Sequence, residues 1–162
     1  MSVAIGVGNR GLMFGGRRAS TGLAQAAYDP RRGLHESTGI ERIALNSLKQ
    51  AVNNLSDLGE DWDGFGSAQP KAASVRYATI LVESLFQEAS STRLPWIQPH
   101  VTASEEGNVV FEWWNGVHKL TGYANESGAD YIQVWGPDIV LNMKDGPIEI
   151  GTFEGLWRWL QA

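Results

Sequence analysis

Cysteine is absent from the 162 residues. That removes disulfides, thiolate nucleophiles and any cysteine-ligated zinc, while leaving the compartment open. No apolar run approaches the roughly 18–20 residues of a membrane span. Histidine is scarce, and His35, His100 and His118 fit neither H-E-x-x-H nor another common ligand spacing. No serine stands in a G-x-S-x-G context of the kind that raises a nucleophile at a strand–helix elbow. Positive charge is also short: the net charge is −5, which disfavours the whole chain as a general nucleic-acid binder.

Apolar side chains are plentiful, at 43% with seven Trp, enough for a packed core rather than wholesale disorder. The length suits one domain that buries roughly two-thirds of its unfolded surface. The charge is uneven. Residues 1–36 hold Arg10, Arg17, Arg18, Arg31 and Arg32 against Asp29 and Glu36, a surplus of three that leaves −8 for the remainder. That segment is glycine-rich without a sustained hydrophobic period, so residues 1–37 read as an extended arm and 38–162 as a single α+β domain.

Two signals in the arm fail on context. Arg17-Arg18 precedes Ala19-Ser20-Thr21-Gly22, too polar for the apolar segment of an export signal; the expected location is the cytoplasm. Gly6-Val7-Gly8-Asn9-Arg10-Gly11 matches G-x-G-x-x-G, but Gly15-Gly16 interrupts the helix that a dinucleotide site requires. No cofactor is expected.

From Thr38 the pattern becomes regular. Thr38-Gly39-Ile40-Glu41 fits a capping box, and Ile40, Ile43, Ala44, Leu48, Ala51, Val52 and Leu55 recur at helical spacing. Gly59 suits a stop, Pro70 a second start, and Tyr77, Ala78, Leu81, Val82, Leu85 and Phe86 a second apolar stripe. Beyond Pro95 the period becomes strand-like: Val101–Ser104, Val109–Trp114, His118–Ala124, Tyr131–Trp135 and Ile139–Met143. Asn115-Gly116 is the best hairpin signal, since both residues accept positive φ. Short links imply an antiparallel meander. Thr152 reads as the cap of a closing helix with Phe153, Leu156, Trp157 and Leu160 on its apolar face. The expected fold is α+β, two N-terminal helices on a five-stranded meander with a short C-terminal helix.

The most particular stretch joins the two helices: Glu60-Asp61-Trp62-Asp63-Gly64-Phe65-Gly66. Asp61-x-Asp63 opens like a calcium loop, but Phe65 and Ala72 stand where an EF-hand needs oxygen ligands. Magnesium needs only one or two carboxylates plus substrate phosphates, so Glu60, Asp61 and Asp63 leave a metal-assisted enzyme open. The structural alternative plugs Trp62 and Phe65 into the core, with Asp63 accepting backbone amides. A meander would also bring His100 and His118 towards Glu112, an acid–base cluster only if a pocket accompanies it.

Trp96, Trp113, Trp114, Trp135, Trp157 and Trp159 cannot all face inward, because neighbours on a strand point to opposite faces and Trp157 and Trp159 diverge on a helix. Exposed Trp marks binding hot spots, so Trp114 and Trp159, with Glu112 beside them, are the candidate partner-binding residues. Base stacking on such rings normally needs a basic groove, which the acidic domain lacks; direct nucleic-acid binding is expected only through the arm.

Trp62-Asp63-Gly64-Phe65-Gly66 ahead of a Pro-started helix, Pro95 and Pro99-His100-Val101, and Gly107-Asn108-Val109-Val110-Phe111-Glu112-Trp113-Trp114 resemble a loose family of small bacterial and phage-borne proteins. That family carries a W-D-G-[YF]-G loop and a G-x-V-x-x-E-W-W hairpin. The resemblance spans about residues 40–135. It implies no catalytic residue. Its occurrence on mobile elements implies a role in element–host conflict. The resulting expectation is a non-enzymatic protein-binding module, inhibiting or regulating a host or defence complex in an anti-CRISPR-like manner. The expected partner is another protein, such as a nucleic-acid-binding complex, with no membrane involved; a homo-oligomer stays open. The alternatives are the carboxylate-loop enzyme acting on a phosphate-containing substrate, and a structural subunit of a larger assembly.

Overall fold

The computed structural model describes the backbone of residues 30–162 and side chains from residue 39 onward. Among these residues, helix α1 spans Pro30–Asn54 and a 3-10 turn follows at Leu55–Asp57. Helix α2 is Ala72–Ser91 and helix α3 Thr152–Leu160. The strands are β1 His100–Ala103, β2 Val109–Asn115, β3 His118–Ala124, β4 Ala129–Val134 and β5 Met143–Pro147. They form one sheet in the order β1-β2-β3-β4-β5, antiparallel at every pairing. The class is α+β, as the switch in period predicts.

α1 begins eight residues before Thr38, so the predicted capping box lies inside the helix and starts nothing. Pro30 takes the first helical position instead, where its missing N–H leaves nothing unpaired. The C-terminal half of α1 and the 3-10 turn after it pack as the stripe requires, with Leu48, Val52 and Leu55 buried. Ile40 and Ile43 are exposed. For Ile40 the reason is geometric: antiparallel pairing sets Lys49 against Glu83 and Asn53 against Thr79, so α2 ends at Ser91 near the level of Glu41; Ile43 is still level with Ala89 and is exposed for another reason than helix length. The start of α1 thus runs past its neighbour.

Strand alternation sends Val109, Phe111 and Trp113 to the helical side, all at most 1% exposed. There they meet Leu120 and Ala124 of β3 and join one core with α1, α2 and α3. Aromatic rings form its centre: Trp113 lies 5.5 Å from Phe153 and 6.5 Å from Trp157, and Trp157 stacks on Trp96 at 5.0 Å. Each large buried side chain of this kind contributes a few kcal/mol. Val110, Tyr123, Ile132 and Val134 point the other way and lie outside that core. No described helix covers that outer face.

Three local expectations fail for physical reasons. The fifth strand is Met143–Pro147 rather than Ile139–Met143. Asp138 accepts the amides of Val140 at 3.0 Å and, through its carbonyl, of Asn142, which folds the apolar run into a turn. Ile139, Val140 and Leu141 are consequently exposed. Pro147 is tolerated because β5 is an edge strand, where its missing N–H breaks no ladder bond. The β2–β3 turn has Gly116 and Val117 at its centre, between the paired Asn115 and His118. Of these only Gly116 has positive φ, the arrangement of a type II′ turn rather than one needing positive φ at Asn115. At α3 the N-cap is Gly151, and Thr152 is the first helical residue.

Candidate functional site

The acidic loop is a self-supporting turn. Asp61 has φ 57° and sits between Gly64 N–H, donated to its carbonyl at 3.0 Å, and Gly66 N–H, donated to its Oδ1 at 2.6 Å. Asp63 Oδ1 accepts the Phe65 amide at 3.0 Å, and its Oδ2 accepts the Ser67 hydroxyl at 2.6 Å. These bonds favour the ionised form, the Ser67 hydroxyl most and the Phe65 amide next, and hold the Asp63 carboxyl below its ordinary 3.8. Ala68 N–H donates to Glu105 O and Lys71 N–H to Gly107 O, both at 2.9 Å, which ties the loop to the β1–β2 turn.

Asp63 therefore serves the turn, as one of the readings predicts. Phe65 does not. It is 92% exposed, whereas the sequence reading buries it. Gly64 and Gly66 adopt φ of 77° and 87° on either side, so the backbone reverses twice and carries the ring outward. Trp62 is half-buried with its Nε1 sequestered. Because Asp61 and Asp63 are each occupied with loop amides, a cation there would have to compete with the bonds that shape the turn. Among the described residues no group of three His, Asp or Glu is placed to hold a metal ion.

The outer sheet face is read from the register. Trp114, Lys119, Val134 and Met143 form one cross-strand row; Glu112, Thr121, Ile132 and Asp145 form the next, with His100 beside Glu112. Trp114 is 49% exposed. The Lys119 ammonium lies 5.1 Å from the Trp114 ring centroid and pairs with Glu112. That bridge fixes the indole between a cation and the sheet, a contact worth roughly 0.5–1 kcal/mol at an exposed site. His100 Nδ1 is 3.6 Å from Glu112 Oε2, so the sequence reading places this pair correctly. His118 is not part of it: its ring lies 4.6 Å from Trp159 on the helical side, because its partner Asn115 shares the face of Trp113. Without His118 the cluster is a surface contact of His100 with Glu112, whose carboxylate is already bridged to Lys119.

Trp159 and Trp114 therefore belong to different surfaces. Trp159 is half-buried on α3, between His118 and Trp135, whose ring lies 6.1 Å away nearly at right angles. Of the arm, Arg10, Arg17 and Arg18 lie outside the described residues, and Arg31 and Arg32 fall in the first turn of α1, described for backbone only. No helix among the described residues is long and apolar enough to cross a membrane. Scans against protein-family models, curated proteins and solved structures each return no match to this chain.

Sequence reasoning missed Glu88. From α2 its two carboxylate oxygens accept the amides of Gly151 at 3.0 Å and Glu154 at 3.1 Å, capping α3. Sixty-odd residues separate the partners, so no local pattern could have signalled it.

Proposed function

We propose that the chain is a protein-binding module that docks its partner on the outer face of the sheet, with Trp114 as the anchor. The observation that carries this is the one-sided fold: the three described helices share one face of a five-stranded sheet, and the face that no described helix covers presents a half-exposed, pre-positioned Trp. Met143 and the half-buried Val134 continue its row, and the exposed Ile139, Val140 and Leu141 follow in the adjoining β4–β5 turn. A rigid aromatic beside apolar neighbours is the usual composition of an interface centre, because little rotamer freedom is lost on binding.

The charged groups of this face favour a basic partner. Glu112, Asp130 and Asp145 outnumber Lys119, so a cationic surface would be steered towards it and wrong partners repelled. A nucleic-acid-binding complex has such a surface. Inhibition or regulation of a host or defence complex is the version of this proposal that follows from the loop and hairpin resemblance. The arm, with Arg10, Arg17 and Arg18, would extend the same role if it wraps a neighbouring subunit.

A photo-crosslinking residue at position 143 followed by titration calorimetry of the captured partner tests the reading. Trp114→Ala should weaken binding by about 2 kcal/mol, roughly thirtyfold, while lowering the melting temperature by no more than about 2–4 °C. Added salt should lower the association rate. A partner whose affinity is indifferent to both Trp114→Ala and Glu112→Gln would refute the docking face. Metal-assisted chemistry at the loop makes a different forecast: a Mg2+-dependent rise in stability that Asp61→Asn and Asp63→Asn abolish.

A further inference from the structure

α3 covers the centre of the helical side and stops short of the β4–β5 edge. A groove of about 500 Å3 remains there, lined by Tyr131, Gln133, Trp135, Lys144, Thr152, Gly155, Leu156 and Trp159. Its size falls within the range of small-molecule sites. It lies on the opposite side of the sheet from Trp114 and does not rest on the protein-docking reading.

We propose that this groove binds a small aromatic acid, a planar ring bearing a carboxylate. Three observations converge on that class. First, the walls are aromatic, with the Trp135 and Trp159 rings 75° apart. A flat ring lying on one indole therefore meets the other at its edge, the arrangement aromatic quadrupoles prefer. His118 lies against Trp159, with ring centroids 4.6 Å apart and the planes tilted by 32°, which restrains that wall.

Second, the polar groups are donors set side by side. Gln133 is 6% exposed and lines the groove. Lys144 is its cross-strand partner on the same face. Directly opposed residues have Cβ atoms about 4.5–5.5 Å apart, so one carboxylate can take a hydrogen bond from the Gln133 amide and another from the Lys144 ammonium. Lys144 is in no ion pair among the described residues. No acidic side chain lines the groove.

Third, Gly155 sits mid-helix on the groove wall, where glycine weakens a helix relative to alanine. A Cβ added there meets nothing within 4 Å, so no packing contact inside the protein demands the small residue. Its effect is to leave room between Thr152 and Trp159 for a ring.

Titration of the full chain with indole-3-acetate and 1-naphthoate, followed by the indole N–H resonances of Trp135 and Trp159, tests the proposal. Indole-3-acetamide supplies the same ring without the charge. The acids should shift both resonances, and the amide should bind at least about tenfold more weakly, as expected for loss of a charge-assisted bond. Lys144→Met should reduce acid binding by a similar factor. Gly155→Ala should raise the melting temperature by about 2–4 °C, and Gly155→Leu should abolish binding while the protein stays folded. Equal binding of acid and amide, or full binding by Gly155→Leu, would overturn the proposal. So would unmoved Trp135 and Trp159 resonances at about 10 mM acid, a Kd beyond which a site supplies under about 3 kcal/mol.

Discussion

Gly107 offers the sharpest perturbation of the loop that carries Phe65. Its φ is +77°, and a Cβ built on it would lie 2.5 Å from the carbonyl oxygen of Gln69 and 3.4 Å from the Lys71 nitrogen. Both atoms are backbone, so neither yields by a rotamer change. Gly107→Ala therefore incurs two costs. The left-handed backbone costs an L-residue about 1–2 kcal/mol, and forcing a methyl into filled space adds about 1–3 kcal/mol. Against these stands about 0.4–1 kcal/mol from the reduced freedom of the unfolded chain. The expected net destabilisation is about 2–4 kcal/mol.

Gly116→Ala is the control. Gly116 also has positive φ, +59°, but a Cβ there meets nothing within 4 Å, so only the backbone cost applies, about 1 kcal/mol or less after the same offset. Urea melts of the two variants at a common slope give the difference directly. Amide exchange provides a local readout. Ala68 and Lys71 donate to Glu105 and Gly107, and their protection should fall in Gly107→Ala and persist in Gly116→Ala. If Gly107→Ala costs no more than Gly116→Ala, the loop is not held against the β1–β2 turn as described, and the fixed presentation of Phe65 fails with it.

Glu88→Ala should cost about 1–2 kcal/mol in a denaturant melt, since it strips both side-chain acceptors from the start of α3; Glu88→Gln, which keeps one acceptor, should lose less. A change below about 0.3 kcal/mol for Glu88→Ala would show that water caps the helix equally well. Asp63 sets a pH dependence of known sign. Its folded-state value is depressed, so its contribution is present above the ordinary carboxylate value and is lost as pH falls below about 4 through the folded value. Proton NMR should show the Phe65 and Ser67 amides losing protection over that acid range, and Asp63→Asn should remove the transition.

How far the sequence discloses this protein depends on the range of the forces involved. Helical stripes and strand alternation come from burial repeated along the chain, so the stripe through Leu48 and Val52 and the opposite faces of Trp113 and Trp114 are legible from spacing alone. Ile139-Val140-Leu141 has the composition of a strand, yet the Asp138 side chain captures the Val140 amide and the segment turns. Pro137-Asp138 was the available signal. Asp145-Gly146-Pro147 has the composition of a turn, yet pairs with β4 as an edge strand, where Tyr131 lies over Gly146 at 3.2 Å from where a Cβ would be. That contact is non-local and invisible to any window. The candidate surfaces were legible in part. Exposure of Trp114 follows from its neighbour facing inward, whereas the Trp135–Trp159 groove depends on where α3 ends relative to β4.

Trp113 and Trp114 stand side by side on β2. Alternation gives the two indoles opposite fates: Trp113 is fully buried, its Nε1 without a hydrogen-bond partner among the described residues, and Trp114 is 49% exposed under the Lys119 ammonium. Trp113→Ala should cost about 3–5 kcal/mol, because transfer and cavity losses add when a large aromatic leaves a core. Trp114→Ala gives up part of an exposed ring and one cation–π contact, about 1 kcal/mol. A residue of that size and stiffness contributes little to the free fold in its place, so a function on the outer face accounts for it better than stability does. Comparable melting losses for the two variants would remove that inference, since Trp114 would then be a structural residue.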